Sequence, residues 1–309
     1  MKKTLFSIVI PIYFNEKNIP LTYPRLTKLA ENISKSNFEF IFIDDGSQDK
    51  SLQELIKLKK KDRRIKIIKL TRNFGSFNAI LAGLKYTKGD CVGVISADLQ
   101  DPPELFIRMF NLWKKGAKTI MAVRSDRDDP YLSKLASNLY YWLLRKYAIP
   151  AMPKGGFDFV LIDKQVVESI RKIEEKNTSL MALIAWLGFN REIVYYVRKK
   201  REIGTSKWNF SKKFKLFVDS FTAFSYMPIR MITIVGFIIA LLSFLYALLV
   251  IYLKFFHKTD VQGWTSLTVI VLFLSGFQLA ALGIIGEYLW RNFDESRKRP
   301  NYVIDKIFN

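Results

Sequence analysis

In ISADLQDPPE, Ile95 to Glu104, a carboxylate and an amide oxygen stand at alternate positions after an apolar run. Asp98 and Gln100 can then point to one side and share a hard divalent cation. Mg²⁺ or Mn²⁺ held this way keeps several waters and bridges diphosphate oxygens, so it neutralises a leaving group. Pro102 and Pro103 suit the first turn of a helix with Asp101 as its cap; a plain helix start would account for DPPE but leaves Asp98 unexplained. IDDGS, ending at Ser47, closes an apolar run and leads into a helix entered through Asp49 or Ser51. Either Asp and Gly serve the turn for backbone reasons, or Asp45 accepts hydrogen bonds from a nucleotide base or ribose.

Three further segments have the same double character. RNFGSFNAILAGL, Arg72 to Leu84, sets a cation at a strand end, where Arg72 meets a phosphate or forms a surface salt bridge. KGGFDFVLIDK, Lys154 to Lys164, puts two glycines before Asp158, a carboxylate that could receive a proton, position an acceptor, or face water from an edge strand. IGTSKW, Ile203 to Trp208, with Arg201 ahead of it, can hold a phosphate at a membrane surface through Ser206 and Lys207, or only touch anionic lipid.

The elements that position these residues are legible in the hydrophobic pattern. SIVIPIY, EFIFIDD, IKIIKL, CVGVISA and TIMAVRS read as strands apolar on both faces, separated by amphipathic helical stretches. This alternation predicts an α/β fold, a parallel sheet wrapped by helices, over residues 1–197. Ligands of such sheets lie outside the carboxyl ends of the strands, where Asp44, Asp45, Arg72, Asn73, Asp98 and Gln100 fall.

Composition narrows the chemistry. The 49 Lys and Arg against 28 Asp and Glu give a net charge of +21, which favours anionic partners. The single cysteine, Cys91, rules out an internal disulfide, and the single histidine, His257, leaves little room for histidine-based catalysis. The apolar start LFSIVIPIY is interrupted too soon by Pro11 for a signal peptide, so the catalytic part is expected to stay where it is made.

From Arg198 the character changes. A basic stretch interleaved with Trp208, Phe210, Phe214, Phe217 and Phe221 reads, over 198–228, as a loop and an interfacial amphipathic helix. Residues 229–290 hold two apolar segments, 231–253 and 267–289, each able to cross about 30 Å of hydrocarbon, and 291–309 is expected as a tail. Lys and Arg density outside the spans puts both termini in the cytoplasm. Glu287 pairs with Arg291 one turn on, for packing rather than catalysis. Gly276, Gly283 and Gly286 permit close helix contacts and so a homo-oligomer, a tetramer being the expected assembly.

IDDGS, RNFG, ADLQDPPE, IGTSKW and GEYLWRNFDESRKRP stand in the order and rough spacing of one family, over essentially the whole chain. The chain resembles the polyprenyl-phosphate glycosyltransferases of glycosyltransferase family two, which include dolichol-phosphate mannose synthase and the bactoprenol glucosyltransferases. The resemblance implies a GT-A, Rossmann-like catalytic domain with a two-helix transmembrane hairpin in a bacterial plasma membrane. It implies inverting transfer of a hexose, glucose from UDP-glucose by family weight, to undecaprenyl phosphate, for modification of a lipopolysaccharide or cell-wall glycan. Carried onto this sequence, the nucleotide sugar would meet Pro11, Tyr13, Glu16, Asp45, Arg72 and Asp98. Asp98 and Gln100 would hold Mg²⁺ or Mn²⁺, Asp158 the reacting centre, and Arg201, Ser206 and Lys207 the phosphates of donor and acceptor. Ser96 stands where the family commonly has a further Asp, Phe14 and Asn15 where it has Asn then Glu, and Phe157 where it often has Gly.

A processive polysaccharide synthase would need more spans and a QxxRW motif, neither of which is present. A catalytically silent nucleotide-sugar scaffold is the alternative that Ser96 and Asn15 keep open. Nucleic-acid binding would account for the charge, but the basic residues cluster against apolar spans.

Overall fold

The computed structural model describes residues 3–33, 36–98, 100–125, 131–176, 178–198, 210–257 and 263–309, with backbone alone at 131–133, 210–214, 254–255, 257, 264–265, 268 and 272. In chain order the elements are β1 (Thr4–Ile12), α1 (Ile19–Asn32), β2 (Ser36–Asp44), α2 (Ser51–Lys61), β3 (Ile65–Leu70), α3 (Ser76–Lys85), β4 (Cys91–Val94), α4 (Leu105–Lys114) and β5 (Thr119–Arg124). There follow α5 (Tyr131–Tyr147), β6 (Phe159–Asp163), α6 (Lys164–Arg171), α7 (Leu180–Trp186), β7 (Arg191–Tyr196), α8 (Phe210–Phe224), α9 (Met227–His257), α10 (Trp264–Ser296) and β8 (Ile304–Phe308). Two compact units result: Met1–Ser220 with Pro300–Asn309, and Phe221–Arg299.

The first unit is one sheet in the order β7-β5-β6-β4-β1-β2-β3-β8. β1, β2, β3 and β4 pair in parallel, as expected for β-branched runs buried on both faces. Phe6, Ile8, Ile10, Phe40, Phe42 and Ile67 are fully buried, with Phe106 and Phe110 of α4 packed edge-on and stacked against Phe6. The sheet is mixed rather than wholly parallel. β6 runs antiparallel to β4 and β5, and β8 antiparallel to β3. An antiparallel strand inserted between parallel ones brings its amino end to their carboxyl ends. Val160 pairs with Val94 and Phe159 with Ala122, which sets the residue before β6 beside the ends of β4 and β5.

Two local expectations change. Asp101 does not cap α4, which starts after Glu104; its carboxylate is buried and occupied elsewhere. The phenylalanine stripe of α8 is not wholly free for lipid: Phe221 is buried, and Phe217 lies 6.1 Å from the Tyr140 ring of α5, whose hydroxyl bonds Ser220 Oγ at 2.9 Å. An apolar helix stripe is satisfied by protein as well as by a bilayer, and periodicity cannot distinguish the two.

In the second unit, α9 and α10 contain segments of 27 and 28 residues, Met227–Leu253 and Val269–Ser296, that by length and composition could cross a membrane. A Cβ on Gly236 would lie 3.7 Å from the Phe277 ring, Tyr288 donates to Ser225 O at 3.2 Å, and Arg291 pairs with Glu287 at 2.8 Å. Phe237, Phe244, Leu279 and Leu282 are exposed, an extent of apolar surface that calls for a non-aqueous partner. Beyond α10 the chain re-enters the first unit as β8, where the hydrophobic pattern suggested only a tail.

One turn governs how β2 meets the loop after β3. Gly46 has φ of +70°, and a Cβ there would lie 2.5 Å from the backbone carbon of Arg72. Neither atom can yield without moving main chain. Gly46→Ala is expected to lower stability by about 2–4 kcal/mol, measured by thermal or denaturant unfolding in detergent; an unchanged midpoint would show that the two loops separate at little cost.

Candidate active site

At the carboxyl ends of β1, β2 and β4 lies a cavity of about 930 Å³, within the size range of small-molecule sites. Pro11, Tyr13, Glu16, Asp45 and Asp98 all line it, together with Ser96. The loop after β1 is pinned from beneath by β2–α2. Phe14, in left-handed backbone at φ of 56°, donates its N–H to Ser47 Oγ, and Asn15 donates to Ser51 Oγ. Glu16 N–H reaches Asp49 while the Glu16 carboxylate accepts from Lys50 N–H at 3.0 Å. Asp49 also accepts from Ser51 N–H, so it does serve the entry to α2.

Asp45 is 2% exposed. Its two oxygens accept the backbone N–H groups of Phe74 at 2.7 Å and Gly75 at 2.9 Å, at the start of α3. Free N–H groups at a helix start favour an anion. Burial opposes it more strongly and pushes the carboxyl up to about 6, with the two N–H bonds pulling the other way. A proton held more tightly folded than unfolded contributes stability that is complete below the ordinary carboxylate range and is lost as pH rises through about 6. Two lone pairs of Asp45 thus serve the fold, and the carboxylate still borders the cavity.

Asp98 is nearly buried at the cavity wall and accepts Gln100 N–H at 3.3 Å. Gln100 does not line the cavity. Among the described residues no group of three His, Cys, Asp or Glu gathers as a cation cage. One carboxylate with an amide oxygen nearby suits Mg²⁺ or Mn²⁺ only as an ion shared with ligand phosphates, which is the usual mode for Mg²⁺.

Asp158 lies outside the cavity lining, at the amino end of β6, and is exposed. Gly155 and Gly156 both have positive φ, and a Cβ on Gly156 would strike Tyr141 Oη at 2.1 Å, so the glycines let the chain pass close over α5. Arg124, at the end of β5, pairs with Asp158 at 2.6 Å. Burial works against the Arg124 charge, but Asp158, Tyr196 and Asp101 outweigh it and raise its pKa. Behind it the Tyr196 hydroxyl donates to the buried Asp101, which also faces Arg198 at 3.4 Å. Arg72 is not among the lining residues, and its guanidinium lies over the ring of Phe74, which is, at 4.1 Å. Arg201, Ser206 and Lys207 lie outside the described residues.

The sequence profile of glycosyl transferase family 2 matches residues 7–160. An uncharacterized glycosyltransferase of Bacillus subtilis, YkcC, is 39% identical across 98% of this chain and 94% of its own length. The bactoprenol glucosyl transferase of Shigella phage SfX is 36% identical across 96% of this chain and 98% of its own. The chain belongs to glycosyl transferase family 2. Among solved structures, glucosyl-3-phosphoglycerate synthase from Mycobacterium tuberculosis aligns at 13% identity with a TM-score of 0.49, covering 71% of this chain and 79% of that one. A mannosyltransferase from Pyrobaculum calidifontis in complex with GDP-Man and Mn²⁺ aligns at 12% identity with a TM-score of 0.45, over 91% and 88%.

The transferase thus brings five of the expected residues to one cavity, Pro11, Tyr13, Glu16, Asp45 and Asp98. Asn73, expected at a strand end, lines it as well, while other walls went unanticipated: Phe74 to Asn78, Ile173, Glu175 and Thr178, and Lys215, Leu216 and Asp219 of α8. Nothing in the local pattern of IEEKNTSL or of α8 marks a cavity wall; only tertiary packing assembles them. Tyr196→Phe would strip the buried Asp101 of its hydroxyl donor, costing about 1–3 kcal/mol. Denaturant unfolding measures this, and a variant as stable as the parent would mean that Arg198 alone satisfies the carboxylate.

Proposed function

We propose that this glycosyltransferase moves a hexose, glucose from UDP-glucose as the first choice, onto polyprenyl phosphate at the cytoplasmic face of a bacterial plasma membrane. The observation that carries the proposal is the placing of Asp45 and Asp98 on one cavity, at the carboxyl ends of the parallel strands, in a family 2 chain. The acceptor is supported by relatives named bactoprenol glucosyl transferases, aligned over nearly the whole chain, and by two apolar helices of spanning length. β1 precedes the apolar segment and β8 follows it, yet both belong to one sheet. The chain must therefore return to the side it left, which supports a hairpin with both termini on that side.

In this proposal Asp45 accepts from the base, and Pro11, Tyr13 and Glu16 shape the nucleotide end of the cavity. Asp98, with Gln100 adjusting toward it, would hold Mg²⁺ or Mn²⁺, and the ion, when bound, would supply stabilisation of negative charge on the departing group. The acceptor phosphate, with a second pKa of about 6, is mostly dianionic at neutral pH and needs little help losing a proton. Its oxygen forms the new bond to the anomeric carbon as the bond from that carbon to the nucleotide diphosphate breaks, with inversion. Asp158, held by Arg124, orients and places charge rather than acting as an obligatory base, and Arg72, Arg201, Ser206 and Lys207 draw in phosphates. A silent scaffold that binds a nucleotide sugar is the second reading, favoured by Ser96 on the cavity wall.

Transfer from labelled UDP- and GDP-sugars to undecaprenyl phosphate in detergent, with and without Mg²⁺ or Mn²⁺, tests the proposal. One donor is expected to label the lipid in a metal-dependent way. Asp98→Ala should lose about a hundredfold or more of kcat/KM, and Asp158→Asn less than Asp98→Ala. Donor binding without transfer to any lipid phosphate would favour the scaffold, and equal losses in the two folded variants would give Asp158 a larger part.

Because the Asp45 carboxyl sits at about 6, protons compete with the nucleotide for it in a range where most carboxylates stay ionised. UDP affinity is expected to weaken about tenfold as pH falls from 7 to 5, and to be weak and pH-insensitive in Asp45→Asn. Titration calorimetry at several pH values measures this; a flat wild-type profile would remove Asp45 from the nucleotide contacts.

A further inference from the structure

We propose that the segment Asn301 to Phe308 is a positioning element for the donor cavity, holding in place the β3–α3 loop that meets Asp45. The proposal rests on the reading of that cavity as the nucleotide-sugar site.

Ile67 pairs with Phe308, Ile68 with Ile307 and Lys69 with Lys306; after an irregularity between Lys69 and Leu70, Leu70 pairs with Ile304. The ladder then runs one residue past β3, as Thr71 N–H donates to Val303 O at 3.0 Å. Thr71 opens the loop whose Arg72 and Asn73 backbone abuts Gly46 and whose Phe74 and Gly75 N–H groups hold Asp45. Asn73, Phe74 and Gly75 line the cavity. A second tie lies just upstream, where Asn301 Nδ2 donates to Glu175 O at 3.3 Å, and Glu175 lines the cavity as well. Tyr302, between the two ties, is partly buried, and burial raises its hydroxyl pKa.

A backbone bond and a side-chain amide bond, one on each side of Tyr302, thus run from one short segment to two stretches of chain at the cavity wall. The exposed Lys69–Asp305 ion pair, at 2.6 Å, adds register rather than much stability. Without β8, β3 becomes the sheet edge, and the loop after it keeps its contacts to Asp45 and Gly46 but loses the bond from Thr71. Loops at an unpaired edge open at low free-energy cost. A binding wall that opens must be reordered by the ligand, and that cost appears in donor affinity rather than in the chemical step. The same strand follows the two apolar helices in the chain.

The test is the full chain ended after Pro300, assayed in detergent against the intact protein, with a synthetic Asn301–Asn309 peptide added back. The donor KM is expected to rise about tenfold while kcat stays within about threefold, and the peptide should recover most of the loss. Amide hydrogen exchange at Thr71, Phe74 and Gly75, measured without nucleotide, should quicken and slow again with peptide. Ile304→Asp with Phe308→Asp, which sets charge at two half-buried positions of β8 while keeping chain length, serves if the shortened chain does not fold, and the same changes are expected. A folded variant of either kind with unchanged KM and unchanged exchange would overturn the proposal, as would a fall in kcat with KM constant. Should the intact chain bind no nucleotide, the donor-site reading fails, and the exchange rates alone still decide whether β8 holds the loop.

Discussion

A buried carboxylate satisfied by two backbone N–H groups is the joint on which the cavity depends. Asp45 sits where β2 ends, and the loop that answers it comes from beyond β3, 29 and 30 residues along the chain. Burial alone would favour the neutral acid, and the carboxyl indeed lies near 6. The N–H groups at the start of α3 recover part of that cost, and they do so only if the loop stays in contact with Gly46. The polar groups that make the site thus also close the floor of the cavity, and its shape and charge cannot be varied independently.

The sheet then decides which chemistry reaches that floor. Parallel β1, β2 and β4 deliver Tyr13, Asp45 and Asp98 to one edge, as the crevice rule for α/β sheets requires. β6 reverses direction and so carries its amino end, with Asp158, to the same edge. Behind Asp158 stands a chain of charge and hydroxyl contacts, Arg124, Tyr196, Asp101 and Arg198, most of it buried. A buried network of this kind is stable only when complete, which gives the orientation of Asp158 a rigid backing although the residue itself is exposed.

The apolar hairpin lies within the chain rather than at its end. β8 returns to the edge of the catalytic sheet after α10, so the sheet is not complete until the apolar helices have been made. The exposed apolar faces of α9 and α10 and the net charge of +21 are both consistent with a bilayer bearing anionic headgroups.

Periodicity in this sequence was enough for the parallel strands, the two long apolar helices and the strand-end positions of Asp45 and Asp98, because burial on both faces and a length of about 20 apolar residues leave local marks. Other features left none. The reversal of β6 depends on which end of the sheet the chain reaches after α5, and a five-residue apolar run reads the same in either direction. Asp101 looked like a cap beside two prolines, yet Tyr196, 95 residues away, claims it. Phe217 and Phe221 looked lipid-facing because a stripe shows that a helix must bury a face without naming what buries it. Arg72 could not be aimed by its neighbours, and the short, polar-studded β8 resembled a tail. The sequence by itself determined the elements, the charge and the inventory of reactive groups, since these follow from neighbours a few residues apart. Which of those groups share one cavity was decided only by tertiary structure, because strand direction, edge pairing and helix docking are settled by contacts between residues far apart in the chain.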